Sequence, residues 1–493
     1  MTMKRFLLPL LIPCEVLRAT YGKKLIAPLV CAARARTDLW TVLKQLPRTP
    51  YLFFLDSGSP LDERVATNGL SRIHNRYSYL GWNPFLIYQV RRVENFIPRL
   101  RALFQKYQTA RWRQLPFFTG GAVGYFSYEV ARVFERLPEK ARDDVGLDPV
   151  TLLFVRDLIV LDHRRNVFYL VANLIPKTDG SFERALGRAW RVIGQMQALL
   201  ARADCQSRRT VVSLGALRVR NFRTDVSKRL FKQMVRRAKE YIEAGDIYQA
   251  NLSQRFSFEL EGGPEALYES LRRINPSPFA SFLKMGPLVV ASASPERLIK
   301  LRGNRCQIRP IAGTRPRGST RLEESRLRRD LVASPKERAE HVMLVDLERN
   351  DLGRVAQVGS VRVSEFMTLE RYSHVVHMVS NIVGKLRSGC DRFDLLQAVF
   401  PGGTITGCPK IRSMEIIEEL EPFKRHLYTG SIGYLDFNGD MDLNIVIRSI
   451  IFYRNRGYLQ LGAGIVYDSD PEAEYWETLH KGKALIDALC EHA

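Results

Sequence analysis

Residues 430–467, GSIGYLDFNGDMDLNIVIRSIIFYRNRGYLQLGAGIVY, hold three β-type runs in succession: GSIGYLDF, DLNIVIRSIIFY and YLQLGAGIVY. In the middle run Asn444, Val446 and Arg448 alternate, which predicts that their side chains share one face of a strand. A helix from about Pro471 closes the chain. Antiparallel-type strands flanked by helices point to an α+β fold rather than a doubly wound parallel sheet.

Upstream the same alternation of element types continues. A helix is expected from Thr224-Asp225, which can cap it, with Phe231, Met234-Val235, Ala238 and Tyr241-Ile242 at helical spacing. It ends at Gly245, and IYQANLSQRFSFEL follows as a strand. A helix over roughly 335–348, a turn at Arg349-Asn350-Asp351 and a helix after Pro409 come next. Before residue 204 the runs YLFFLDSG (51–58), LIYQV (86–90) and TLLFVRDLIVLDH (151–163) read as strands, and 182–203 as an amphipathic helix. The polar, basic segment at about 204–223 divides the chain into an N-terminal region, 1–203, and a second region, 224–493.

With 493 residues, 45% hydrophobic and 26% charged, the chain has the make-up of a folded protein with a large core. Its net charge of +23 raises the alternative of a non-catalytic binding protein for nucleic acid or acidic membranes. The basic residues are scattered, however, and no nucleic-acid motif accompanies them, so neither partner is expected. The seven cysteines include no CxxC pair, which suits reduced thiols in the cytoplasm. The N-terminal MTMKRFLLPLLIPCEVL is a poor signal peptide, its apolar run broken by Pro9 and Pro13. No apolar run reaches the ~18 residues of a membrane span.

Several clusters carry chemistry. Glu296 precedes a β-type run in SPERLIKLRGNRCQIRPIAGTRPRG (294–318), where Gly313-Thr314 makes a turn beside a group of arginines. Ala312 lies there too, with no chemistry of its own. Glu474 and Glu477 are three apart on the closing helix and face one way. With Glu340 on another helix they could hold a hard divalent ion such as Mg²⁺; solvated helical glutamates, with Glu477 paired to Lys481, are the alternative. Arg448 can hold a carboxylate bidentately, Lys481 adds a second cation, and Gly462-Ala463-Gly464 can bring backbone amides close to a ligand. GGTITGCPKIR (402–412) can bind an anion at a helix start, though not as a P-loop. His377 suits an acid/base role or a packed histidine.

Taken in order, the chain resembles the chorismate-utilising enzymes: component I of anthranilate synthase and of aminodeoxychorismate synthase, isochorismate synthase and salicylate synthase. The resemblance rests on GDIYQANLSQRF (245–256), NPSPF (275–279), ASPE (293–296), PIAGTRPRG (310–318), AEHVMLVDLERNDLGRV (339–355), ERYSHVVH (370–377), PGGTITGCPKIRSMEIIEELEP (401–422), GSIGY (430–434), IVIR (445–448) and GAGIVYDSDPEAEYWET (462–478). It is dense from about 225 onward and weaker before, in FLDSG, RYSYLGWNP and GGAVGYFSYE. It implies two large antiparallel β-sheets packed face to face, helices outside and an active site in the cleft, as in anthranilate synthase component I. It makes 224–493 the chorismate-binding catalytic region.

The resemblance also implies roles. Glu340 and Glu477 would be magnesium ligands, with Glu474 a water-mediated or alternate one. Gly313, Thr314, Tyr434, Arg448, Gly462, Ala463, Gly464 and Lys481 would contact chorismate. Glu296 would protonate the leaving C4 hydroxyl, and Thr404 and His377 would line the ring. Relatives that use water as nucleophile carry a lysine base at the position of Gln249. Glutamine is no base at neutral pH, so an amine-transferring member is expected. Ammonia would come from a separate glutamine amidotransferase subunit, since the chain carries no glutaminase nucleophile motif.

Two products then compete. PIAGT, with Ala312 where many aminodeoxychorismate synthases carry lysine, points toward anthranilate. FLDS in place of LLES, Phe279-Ala280-Ser281 in place of a Tyr-Met continuation, and the QANL, GGTITG and GSIGY segments point to aminodeoxychorismate synthase component I, which is the expectation here.

Overall fold

The computed structural model describes residues 10–57, 76–207, 218–318, 320–371 and 375–490. The signal-like first nine residues and the middle of the 204–223 boundary lie outside them. Two large antiparallel sheets with helices on their outer faces make an α+β fold, as expected. Among the described residues, a twelve-stranded sheet runs Ala27–Arg34, Val167–Leu174, Asp157–Asp162, Tyr77–Trp82, Tyr51–Asp56, Phe279–Met285, Leu288–Ser294, Ser449–Tyr453, Arg456–Ile465, Gln249–Glu261 and Gly407–Cys408, with Arg218–Thr224 also pairing Gln249–Glu261. A ten-stranded sheet runs Ile311–Pro316, Val375–Lys385, Arg305–Arg309, Arg297–Arg302, Met441–Asn444, Ser431–Asp436, Gly121–Phe126, Val150–Val155 and Leu86–Val90, with Arg362–Arg371 on Val375–Lys385. Both sheets take strands from either side of the 204–223 segment.

Period-two alternation explains how the smaller sheet is covered on both faces. Val123, Tyr125, Leu153 and Val155 share a core with Leu52, Phe53, Leu80 and Phe282 of the larger sheet. Their neighbours Ala122, Phe126, Leu152 and Phe154 point the other way. They pack with Leu100 and Phe104, Leu352, and Leu396 from the helices Ile97–Lys106, Pro335–Gly353 and Arg392–Val399. Tyr79 of the larger sheet meets Tyr434 of the smaller one edge to face, 5.7 Å between ring centres, so the sheets face each other directly.

The chain steps from one sheet to the other at four points with no more than four intervening residues. It does so at residues 83–85, at Arg156, at Pro295-Glu296, and at residues 445–448. The runs at 151–163 and in DLNIVIRSIIFY are therefore two strands each, not one. A sheet switch needs only a bend, and apolar residues continue across it, so no break shows in the sequence. The expected common face of Asn444, Val446 and Arg448 does not exist: the strand ends at Asn444, and Arg448 has φ +51°, in the left-handed region.

Two smaller corrections concern helix ends. Ser227, not Thr224 or Asp225, caps the helix Lys228–Glu243 by accepting from Leu230 N–H at 3.2 Å, while Asp225 binds Arg255 and Ser257. The helix Pro335–Gly353, capped by Ser334, runs through the Arg349-Asn350-Asp351 segment read as a turn. The cysteines are all free. Among the described residues no helix is long and apolar enough to cross a membrane.

Candidate active site

Two of the sheet crossings lie side by side. Leu288–Ser294 pairs with Ser449–Tyr453, and Arg297–Arg302 with Met441–Asn444, so residues 295–296 and 445–448 bridge the sheets together. Ile445 N–H donates to the Glu296 carbonyl at 3.1 Å, Ser294 Oγ to the Ile445 carbonyl at 2.5 Å, and Ala293 N–H to the Arg448 carbonyl at 3.0 Å. Glu296 is buried, its Oε1 facing Ile311 N–H at 3.4 Å. Burial pushes its carboxyl up to about 7, opposed by the Thr404 hydroxyl, the Ile311 amide and the Arg448 charge. Thr404 Oγ1 lies close enough to act on it but makes no hydrogen bond within 3.5 Å.

In the 402–412 segment three amides are already used within the fold: Gly403 N–H donates to Glu348 Oε1 at 3.2 Å, Ile405 N–H to the Gly402 carbonyl and Thr406 N–H to the Gly403 carbonyl. The helix Lys410–Leu420 follows.

Gly313-Thr314 and His377 come together through strand pairing: Thr314 sits opposite His377, with Thr314 Oγ1 and His377 Nδ1 2.8 Å apart. Burial, and then the Arg448 charge, push His377 down to about 3. The imidazole is neutral near pH 7, with one ring N–H and one acceptor nitrogen, and its Nδ1 shares a hydrogen bond with the Thr314 hydroxyl. Gly313 has φ +82°, and a Cβ there would stand 3.0 Å from Glu337 Oε2. Ala312 is tied from behind, because His341 Nδ1–H donates to its carbonyl at 3.3 Å and Nε2 meets Ser380 Oγ at 2.6 Å.

A second group gathers at the helices Pro335–Gly353 and Pro471–Cys490. Gln249 Nε2 donates to Glu340 Oε1 at 3.4 Å, and a Cβ on Gly464 would collide with Gln249 Nε2 at 2.3 Å. Gln249 therefore stands between Glu340 and the Gly462-Ala463-Gly464 strand. Lys481 pairs with Glu477 at 2.7 Å, and its charge acts on Glu340 and Glu474 as well. The carboxyl of Glu340 is pushed up by burial and by Glu337; that of Glu474 by burial, with Ser469 Oγ donating to it at 2.6 Å. Glu474 Oε2 is buried with no hydrogen-bond partner. Among the described residues no three acidic, thiol or imidazole groups are already gathered around one point. Oxygen donors on two helices and an orphaned buried carboxylate oxygen nevertheless suit Mg²⁺, which keeps several waters and needs few protein ligands.

Tyr434 does not join either group. It stacks on Phe118, 4.6 Å between ring centres, and lines a cavity of about 430 Å³ between the sheets with Asp56, Ser57, Phe279 and Ser281. It lies on the strand Ser431–Asp436, and its ring turns into the space between the sheets. The tyrosine that reaches the expected ligand strand is Tyr428: a Cβ on Gly462 would meet its hydroxyl at 2.5 Å. Tyr428 lies outside any regular strand, so alternation gave no signal for it.

The model of the chorismate binding enzyme family matches residues 65–487, most of the chain. The protein is a chorismate-binding enzyme. Among this enzyme's relatives, anthranilate synthase component 1 of Acetivibrio thermocellus is 41% identical over 433 residues, covering 84% of this chain and 87% of the relative. Aminodeoxychorismate synthase component 1 of Bacillus subtilis is 43% identical over 386 residues, covering 78% and 80%. The crystal structure of anthranilate synthase component I from Streptococcus pneumoniae aligns with TM-score 0.71 at 34% identity, covering 83% of this chain and 92% of that one. The menaquinone-specific isochorismate synthase of Escherichia coli, 18% identical with TM-score 0.69, shares the fold. The chorismate-binding enzyme described here is thus a chorismate-utilising synthase of the anthranilate and aminodeoxychorismate group.

Proposed function

We propose that the chain is component I of an aminodeoxychorismate synthase, aminating chorismate to 4-amino-4-deoxychorismate with ammonia from a glutamine amidotransferase subunit. One observation supports this branch most. Two of the places at which the chain departs from the anthranilate pattern, Asp56 and Phe279-Ala280-Ser281, line the same cavity between the sheets, so these departures change one site. Amination rather than hydration is supported by Gln249, whose amide is held between Glu340 and Gly464 and which has no basic nitrogen.

Arg448 and Lys481 would bind the substrate carboxylates, and Gly313, Thr314 and the Gly462–Gly464 backbone would fix its orientation. Tyr428 joins that set in place of Tyr434. Glu340 and Glu477, with Glu474, would hold Mg²⁺, whose charge would help neutralise a carboxylate of the substrate. Glu296, whose carboxyl burial raises to about 7 so that a large share keeps its proton near neutral pH, would give that proton to the C4 hydroxyl as that group leaves as water. Thr404 and the neutral His377 would complete the wall around the ring. A nucleophile arriving as ammonia needs no base.

Anthranilate synthase remains the second reading, favoured by Ala312, which offers no amine for a covalent adduct. Purified chain, chorismate, Mg²⁺ and ammonium distinguish the two: 4-amino-4-deoxychorismate supports the proposal, and fluorescent anthranilate overturns it.

A further inference from the structure

Glu348 is 2% exposed and has no part in the chemistry above. Its carboxyl lies beneath the Gly402–Thr404 turn, where Oε1 accepts from Gly403 N–H at 3.2 Å. Glycine at 403 makes that approach possible, since a Cβ there would stand 3.2 Å from Oε1 and 2.5 Å from Leu347 Cδ2. Oε2 is buried and has no hydrogen-bond partner. A charged carboxylate in such a place is costly.

Three charged groups face it. Asp351 comes from its own helix, Lys410 from the helix Lys410–Leu420, and Glu296 from the sheet crossing. Lys410 and Asp351 pair with each other, so the ammonium is already shared; Arg354 and Glu135 act on Asp351 in turn. The residue after Gly403 is Thr404, whose hydroxyl faces Glu296. Glu348 therefore supports the backbone that faces the acid and stands within electrostatic reach of the acid itself.

We propose that Glu348 is a positioning residue that works in its neutral form, anchoring the Gly403-Thr404 turn and adding no negative charge beside Glu296 when Glu296 gives up its proton. The balance is simple. The O–H bond of Glu296 breaks and its electron pair stays on Glu296; the proton goes to the C4 hydroxyl, the C4–O bond breaks with its pair leaving on water, and the ammonia lone pair forms the new C–N bond. Glu348 keeps its own proton. If Glu348 were ionised, two carboxylates would face each other in a buried space, and the transfer would be opposed. Burial, then Asp351, push Glu348 up to about 8, against Lys410, so the neutral form prevails at neutral pH and is lost above it.

This proposal rests on Glu296 as the acid. The test is the pH dependence of kcat for Glu348→Gln divided by that of wild type, with chorismate and Mg²⁺ saturating and free ammonia held constant. The ratio cancels every titration the two proteins share. Glutamine can still accept from Gly403 N–H but cannot ionise. The ratio should rise about tenfold from pH 7 to pH 9, as wild type loses neutral Glu348. A ratio that stays flat overturns the proposal. If Glu348→Gln does not fold, Asp351→Asn decides. It removes a negative neighbour and releases Lys410, so the alkaline loss of kcat should move to lower pH, and an unmoved profile overturns the proposal. Glu296→Gln in the same assay separates the two ideas: full activity there removes the acid itself, whereas lost activity there with a flat Glu348→Gln ratio removes only Glu348.

Discussion

Glu296 and Arg448 occupy two adjacent points at which the chain leaves one sheet for the other, and the Arg448 charge acts on the Glu296 carboxyl. The same backbone bonds that join the crossings thus fix an acid and a cation relative to each other. Arg448 holds the Glu296 carboxyl lower than burial alone would. A substrate carboxylate on Arg448 would offset that influence, so the acid should keep its proton more tightly when substrate is bound. The alkaline limb of kcat is therefore expected at higher pH than that of kcat/KM. Coincident limbs would argue against Arg448 as the carboxylate site.

Glu296→Gln removes the proton but keeps the shape. We expect kcat to fall by ~10²-fold or more with KM little changed. Stability should respond with a definite sign. The folded-state carboxyl is raised from 4.5 to about 7, so its contribution is fully present below pH 4.5 and is lost as pH rises through about 7. Urea unfolding at pH 5 and pH 8 should show Glu296→Gln gaining ~3 kcal/mol on wild type at the higher pH. A pH-independent difference would mean that the carboxyl is not buried as described.

Glu477→Ala should abolish Mg²⁺-dependent chorismate binding, measured by calorimetry with and without the metal, and with it turnover. It also releases Lys481 from its 2.7 Å pair. Unchanged Mg²⁺ dependence would remove Glu477 from the ligand set.

Tyr428→Phe and Tyr434→Phe separate the two tyrosines. Loss of the Tyr428 hydroxyl beside Gly462 should raise KM for chorismate about tenfold, the effect of one hydrogen bond of ~1.4 kcal/mol. Tyr434→Phe should leave KM unchanged, because that ring belongs to the cavity with Phe118 and Tyr79. The opposite pattern would restore Tyr434 to the site.

How much was legible in the sequence follows from what each signal measures. The α+β class was readable because strand runs and helical periodicity are local. Glu296, Gly313-Thr314, Arg448 and the helical glutamates were readable as motifs, since their residue types recur at fixed spacing. The sheet crossings were not: Ile445-Val446-Ile447 is as apolar as the strands on either side, so one run reads as one strand although it belongs to two sheets. Tyr428 was missed and Tyr434 misplaced for a related reason, because which tyrosine meets Gly462 depends on packing far along the chain. Glu348 read as one more charge in LERNDLG. Only the fold shows that it is buried under Gly403.

The most direct measurement is the product formed from chorismate by the purified chain with Mg²⁺ and ammonium, followed by chromatography and fluorescence. 4-Amino-4-deoxychorismate, with pyruvate retained on the ring, is the predicted result. Anthranilate with free pyruvate would contradict it and make Ala312 the better guide.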